Sequence, residues 1–139
     1  MAFNGYLIKV GGSSGTVLPM KHMRHESYKA TPDQRLETDA KRDLTGLLHR
    51  NTVEHTATKI EIETPVITNI DLQSLLTILR SHWSNQLERK VTIQYYNEET
   101  DGYKTAECYV PDIDYTIDHI DLTKNIVFYK PVRIAFIEY

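Results

Sequence analysis

Apolar and polar residues alternate along much of this chain, and the alternation predicts a domain made mostly of β-strands. Between residues 56 and 64, Ile60 and Ile62 alternate with charged residues, as in a strand with one buried face. Similar runs of β-forming residues predict further strands at residues 6–10, 16–18, 20–31, 91–96, 103–110, 112–120, 125–129 and 132–139. Pro32 is expected to end the third of these further strands, which is basic and polar.

One segment follows a helical period instead. Its apolar side chains recur three or four residues apart, at Leu72, Leu75, Leu76, Leu79 and Trp83. Asp71 is predicted to cap the start of this helix, which is expected to end near Ser84 and Asn85. Strands on both sides of a single helix predict a mostly β, α+β fold: a β-sandwich or barrel with one amphipathic helix packed on it.

Two segments depart from the simple alternation. Residues 32–51 are polar, and their thin apolar stripe through Leu36, Ala40 and Leu44 would bury a helix poorly. A weak helix, a long polar β-hairpin and a mobile arm all fit this composition, and we favour an extended arm. Residues 132–139 are apolar on both faces, which is typical of a strand in a sandwich core or beneath a partner subunit.

Composition narrows the class of protein. The length of 139 residues fits one domain, which we predict to span residues 1–139. A net charge of −3 offers no strongly basic surface for nucleic acid. Cys108 is the single cysteine, so no disulfide can form within the chain. We expect no signal peptide, no membrane contact and folding in a reducing cytosol.

No sequence pattern of a known catalytic or metal site occurs. The Gly-rich run at residues 11–15 lacks the lysine of a phosphate-binding loop, and no Gly-x-Ser-x-Gly motif is present. Cys108 is expected to be a buried, inert thiol. We therefore expect no enzyme activity, no cofactor and no metal. The histidines, none of which has a zinc-ligand spacing, are His22, His25, His49, His55, His82 and His119.

The order of predicted elements is a short first strand, a polar arm, a strand, one helix and a final set of hairpins. This order resembles the tail-tube fold, which phage tail-tube proteins share with the first domain of distal tail proteins. The chain is also similar to a family of small tail-module proteins of long-tailed phages that infect Gram-positive bacteria. The segments that carry the similarity are residues 1–6 (MAFNGY), 28–35 (YKATPDQR), 46–51 (GLLHRN), 88–97 (ERKVTIQYYN), 109–113 (YVPDI) and 133–139 (RIAFIEY).

The resemblance implies a structural protein that forms a ring, a hexamer, near the tip of a non-contractile tail. Its partners would be further copies of itself and the tail tube, tape measure and hub proteins, while DNA passes through without specific binding. It would be made in the host bacterial cytoplasm and reside in the virion tail. The chain lacks room for the second domain of typical distal tail proteins. We predict the subunit interface at Arg35, Leu36, Leu44, Leu47, Leu48, Arg133, Ile134, Phe136 and Tyr139.

Two other functions stay open at this point. The first is a small carbohydrate- or peptide-binding β-sandwich module of a host-recognition device, in which exposed Tyr96 and Tyr103 would serve as stacking platforms. The second is an enzyme without a recognisable motif, which would need a pocket with converging ionisable groups.

Overall fold

The computed structural model describes residues 3–35, 37–52 and 56–139. Within these ranges, one α-helix, α1 (Asn69–Ser81), is accompanied by two short 3-10 helices at Met20–His22 and His25–Ser27. The strands are β1 (Ile8–Val10), β2 (Thr16–Val17), β3 (Lys29–Gln34), β4 (Glu37–Arg42), β5 (Leu48–Thr52), β6 (Ala57–Glu63), β7 (Ile67–Thr68), β8 (Lys90–Asn97), β9 (Gly102–Tyr109), β10 (Ile117–Asp121), β11 (Ile126–Tyr129) and β12 (Arg133–Glu138). A mostly β chain with one helix confirms the predicted fold class.

The strands form three antiparallel sheets. The largest has seven strands in the order β2-β1-β8-β9-β12-β6-β3, the second has the order β10-β11-β7, and β4 and β5 form a hairpin of their own. The strand β12 lies inside the large sheet, where it pairs with β6 on one side and β9 on the other. No helix in the described ranges has the length and hydrophobicity needed to cross a membrane.

The core joins one set of alternating side chains of the large sheet to the apolar face of α1. In β6 and β8 every second residue is buried, as the alternation around Ile60 and Ile62 predicts. The helix contributes Leu72, Leu75 and Leu79, and all three side chains are buried. Each such side chain stabilises the fold by about 1.5–3 kcal/mol relative to an exposed position. Helix and large sheet therefore share one hydrophobic cluster.

The helix starts from a different cap than the one predicted. The Thr68 side chain accepts a hydrogen bond from the backbone N–H of Asp71, 3.3 Å away, so Thr68 is the N-cap residue and Asp71 lies in the first turn. The acidic side chain there interacts favourably with the positive end of the helix dipole. The helix ends at Ser81, three residues before the predicted end at Ser84.

The strand predicted at residues 20–31 is wrong over most of its length. The two 3-10 helices occupy this region, and β3 begins only at Lys29. Pro32 does not end a strand but lies inside β3, which is an edge strand of the large sheet. An edge strand tolerates proline because its outward backbone position needs no N–H donor.

The strand predicted at residues 112–120 is also shorter than expected, since β10 begins at Ile117. The polar segment 32–51 contains the end of β3 and the hairpin of β4 and β5, whereas we favoured an extended arm over the hairpin that its composition also allowed. Four residues in this part of the chain, Leu36 and residues 53–55, lie outside the described ranges.

Candidate assembly surfaces

The two edges of the large sheet are poor templates for adding a strand from another subunit. On one side, β2 has only two residues. On the other, the register of β3 against β6 shifts between Thr31 and Gln34, and Asp33 has a positive φ of 50°. Pro32 also removes one backbone donor. Short, interrupted and proline-containing edges are features that prevent strand addition, so contacts with other proteins are expected on other surfaces.

The tip of the β4–β5 hairpin is held in one conformation by Asp43. One carboxylate oxygen accepts hydrogen bonds from the backbone N–H groups of Thr45 (2.8 Å) and Leu47 (3.1 Å) and from the Thr45 hydroxyl. The other lies 2.9 Å from His49 Nε2. These hydrogen bonds, first that of the Thr45 hydroxyl and then that of His49, lower the pKa of Asp43 to about 2. The carboxylate is thus ionised at neutral pH and orders the turn.

This ordered tip presents apolar side chains to solvent. Leu44 is fully exposed, and Leu47 and Leu48 are 61% and 42% exposed. Basic residues flank them: residues 41–50 contain Lys41, Arg42 and Arg50, while Asp43 is the one acidic residue of this segment. Leucines fixed in water on an ordered turn gain nothing for the fold of a single chain, which is typical of a surface that another protein covers.

A second stretch of exposed apolar side chains lies along β10 and its flanking residues. They are Tyr115, Ile117, Ile120 and Leu122, with a register shift of β10 against β11 between Ile117 and His119. This stretch, residues 112–122, carries four aspartates and no lysine or arginine. The strand β10 is also the edge of its sheet, so one side of its backbone is unpaired within the described structure. The aspartates make these residues resemble the solvent face of a strand, and sequence reasoning therefore missed this surface.

The residues predicted for the subunit interface divide into two groups. Arg35, Leu44, Leu47, Leu48, Arg133 and Tyr139 are exposed, and Arg133 forms an ion pair with Glu61. Ile134 and Phe136 are 0% exposed. These two side chains belong to the core of their own chain and do not reach the surface, so the prediction that they form a subunit interface is wrong. Leu36 lies outside the described residues.

Tyr96 and Tyr103 are not the open stacking platforms that the alternative function requires. Both are half-buried, and the Tyr103 ring stacks on Tyr6 with 4.5 Å between ring centroids. The Tyr103 hydroxyl donates to the Tyr6 carbonyl oxygen, and the Tyr96 hydroxyl donates to an Asp101 carboxylate oxygen. Phe3 packs against Tyr96 at 5.5 Å. The tyrosines thus join the chain start to the β8–β9 hairpin.

An open groove of about 230 Å³ lies beside the C-terminal part of α1. It is lined by Leu76, Leu79, Arg80, Trp83, Gln86, Arg89, Ile113 and Tyr115. None of these eight residues has a carboxylate, an imidazole or a thiol, and the ionisable groups of the groove are those of Arg80, Arg89 and Tyr115.

The groups considered for chemistry lie apart from this groove. Cys108 is 0% exposed, and burial raises the pKa of its thiol to about 12, which keeps it protonated and poorly nucleophilic at neutral pH. No cluster of three or more His, Cys, Asp or Glu side chains that could hold a metal ion occurs in the described ranges. His55 lies outside them.

Comparison with known proteins adds a fold relationship and a family. No curated protein sequence matches the chain. A solved structure described as "Tail of empty GTA particle computed with helical refinement, C6 symmetry" contains a chain with a similar fold. The match has a TM-score of 0.53 and 15% identity, and it covers 99% of this chain and 95% of that one. A family model matches residues 1–139 end to end, and the chain therefore belongs to the Family of unknown function (DUF6711).

Proposed function

We propose that this chain is a non-catalytic structural subunit of a phage tail, which assembles into a ring with further copies of itself. The observation that carries the proposal is the fold match with a tail-particle chain, which extends over 99% of this chain and 95% of that one. A match that leaves almost nothing of either chain uncovered supports a similar role for the whole chain rather than for one part of it. The C6 symmetry of that particle favours a hexamer here.

The surfaces of the chain support an assembly role. The β4–β5 hairpin and the β10 region both expose clustered apolar side chains, including Leu44 and Leu122. The groove beside α1, in contrast, is lined by no carboxylate, imidazole or thiol. Exposed apolar side chains of this kind are what a subunit that works through protein contacts requires.

We further propose a position for the subunit within the tail. We place it near the tip of a non-contractile tail, as a distal-tail or tail-tube-like ring that forms part of the DNA conduit. The net charge of −3 disfavours tight binding of phosphates, so DNA would pass without specific contacts. The partners would be the tail tube, tape measure and hub proteins, and the chain would be made in the host cytoplasm before it joins the virion.

The proposal is tested by the oligomeric state of the purified chain. Size-exclusion chromatography with light scattering, over a wide concentration range, should show a species of several subunits, and negative-stain images of that species should show closed rings. Since partners can nucleate rings, the same measurement is repeated with the tail-tube protein from the same genome. A chain that stays monomeric alone and with that partner, and that is absent from purified tails, would overturn the proposal.

A further inference from the structure

We infer that the tip of the β4–β5 hairpin of one subunit docks on the β10 surface of a second copy of this chain. The hairpin tip means residues 41–50, and the β10 surface means residues 112–122. The inference builds on the proposed ring but goes further, because it names the two surfaces that meet.

Both surfaces expose apolar side chains that no other part of the described chain covers. Leu44 is fully exposed at the tip, and Leu122 is 83% exposed at the end of the β10 surface. The hairpin strands pair only with each other, and the outer side of β10 pairs with no described strand. Neither surface therefore covers the other within one chain, and an intermolecular contact would bury both apolar clusters at once.

Charge selects which surfaces can face each other. The hairpin tip has Lys41, Arg42 and Arg50 against a single Asp43, whereas residues 112–122 carry four aspartates and no lysine or arginine. Arg80 and Arg89 lie at one end of the β10 surface, beside Tyr115, so the acidic part is the remainder of that surface. Two hairpin tips would bring like positive charges together, and two β10 surfaces would bring aspartates together. Like charges in an interface cost free energy, while opposite charges guide association and fix the register. The favoured contact is therefore between unlike surfaces.

Such a contact also has the right symmetry for a ring. A surface that binds a different surface on the next copy generates a head-to-tail series, which closes into a ring or continues as a filament. The strand β4 has six residues and is about 20 Å long. A hairpin of this length is long enough to cross the boundary between adjacent subunits, and the hydrogen bonds of Asp43 order its tip before docking.

The first test is a charge swap. One variant carries Lys41→Glu with Arg42→Glu, a second carries Asp112→Lys with Asp114→Lys, and a third combines all four changes. Each of the first two should raise the concentration of half-assembly by about tenfold or more, and the combination should recover most of that loss. Lys21→Glu is the control, which reverses an exposed lysine elsewhere and should leave assembly unchanged.

The second test is a cross-link that does not depend on ring closure. A Leu44→Cys variant is mixed with a Thr116→Cys variant under mild oxidation, while buried Cys108 stays unreactive. A disulfide-linked dimer should form in the mixture but not in either variant alone. The matched control replaces Thr116→Cys by Ser14→Cys, another exposed position, and should give no such dimer.

The outcomes separate the two claims. Rings that form normally in both charge-reversed variants, without the cross-link, would overturn the docking inference and leave the ring proposal intact. A cross-link between residues 44 and 116 in a chain that never closes rings would support the docking and overturn the ring. Failure of the combined variant to recover assembly, together with an absent cross-link, would also refute the inference.

Discussion

The burial of Phe136 and the exposure of Leu44 predict different effects on the free energy of unfolding for Phe136→Ala and Leu44→Ala. Phe136 is 0% exposed on β12 and pairs in register with Ile60, which is also fully buried. Removing a buried phenyl ring leaves a cavity and costs about 3–5 kcal/mol. Leu44 is fully exposed, so its truncation should change the stability of a single chain by less than about 0.5 kcal/mol.

These free energies correspond to measurable shifts in melting temperature. For a chain of 139 residues, a loss of 3–5 kcal/mol lowers the melting temperature by about 10–17 °C. It also removes a large part of the roughly 5–15 kcal/mol that stabilises a typical domain. Leu44→Ala should leave the melting temperature almost unchanged and instead weaken ring formation, because the proposed docking buries this leucine between subunits.

The assay is thermal and urea unfolding followed by circular dichroism, in dilute solution where single chains predominate. Dilution matters because association would stabilise the folded state by mass action and obscure the comparison. Ile134→Val, which should cost about 0.5–1.5 kcal/mol, is a milder core variant in case Phe136→Ala does not fold. A Phe136→Ala variant that keeps its stability, or a Leu44→Ala variant that loses several kcal/mol, would refute this division.

Three further changes test particular contacts. Asp43→Ala should abolish the slowed hydrogen exchange of the Thr45 and Leu47 amides without changing the melting temperature. Because the pKa of Asp43 is lowered, the wild-type tip should stay ordered through the pH range in which carboxyl groups ordinarily titrate and lose its order as the pH falls through about 2. Thr68→Ala should destabilise the chain by about 1 kcal/mol in urea unfolding and Asp71→Asn by less; the reverse order would contradict the cap assignment. The Cys108 thiol should react with Ellman's reagent only as fast as the chain unfolds, and rapid labelling of the native chain would contradict its burial.

The alternation of residues predicted the parts of the fold in which local pattern and burial agree. In β6 and β8, every second residue is buried as the period of two requires, and Leu72, Leu75 and Leu79 of α1 are buried as the helical period requires. The cap of α1 was assigned to the wrong residue although a signal existed. Thr68 stands three residues before Asp71, a spacing that resembles a capping box and places the threonine at the start.

Other features depend on tertiary position and leave no local signal. Pro32 continues a strand only because β3 happens to be an edge, and edge position is a property of the assembled sheet. The two apolar faces of β12 predict burial but do not say by what, and the structure covers Ile134 and Phe136 with their own chain. The β10 surface was missed for the opposite reason, because its aspartates suggested solvent where the structure shows clustered exposed apolar groups.

The central claim is that this chain works by forming a closed ring of identical subunits. Native mass spectrometry of the purified chain, titrated in concentration and in the presence of the tail-tube partner, measures this most directly. We predict a discrete species of six times the 16.1 kDa chain mass, with no continuous ladder of larger species. Masses of single chains at every concentration, with and without the partner, would contradict the account.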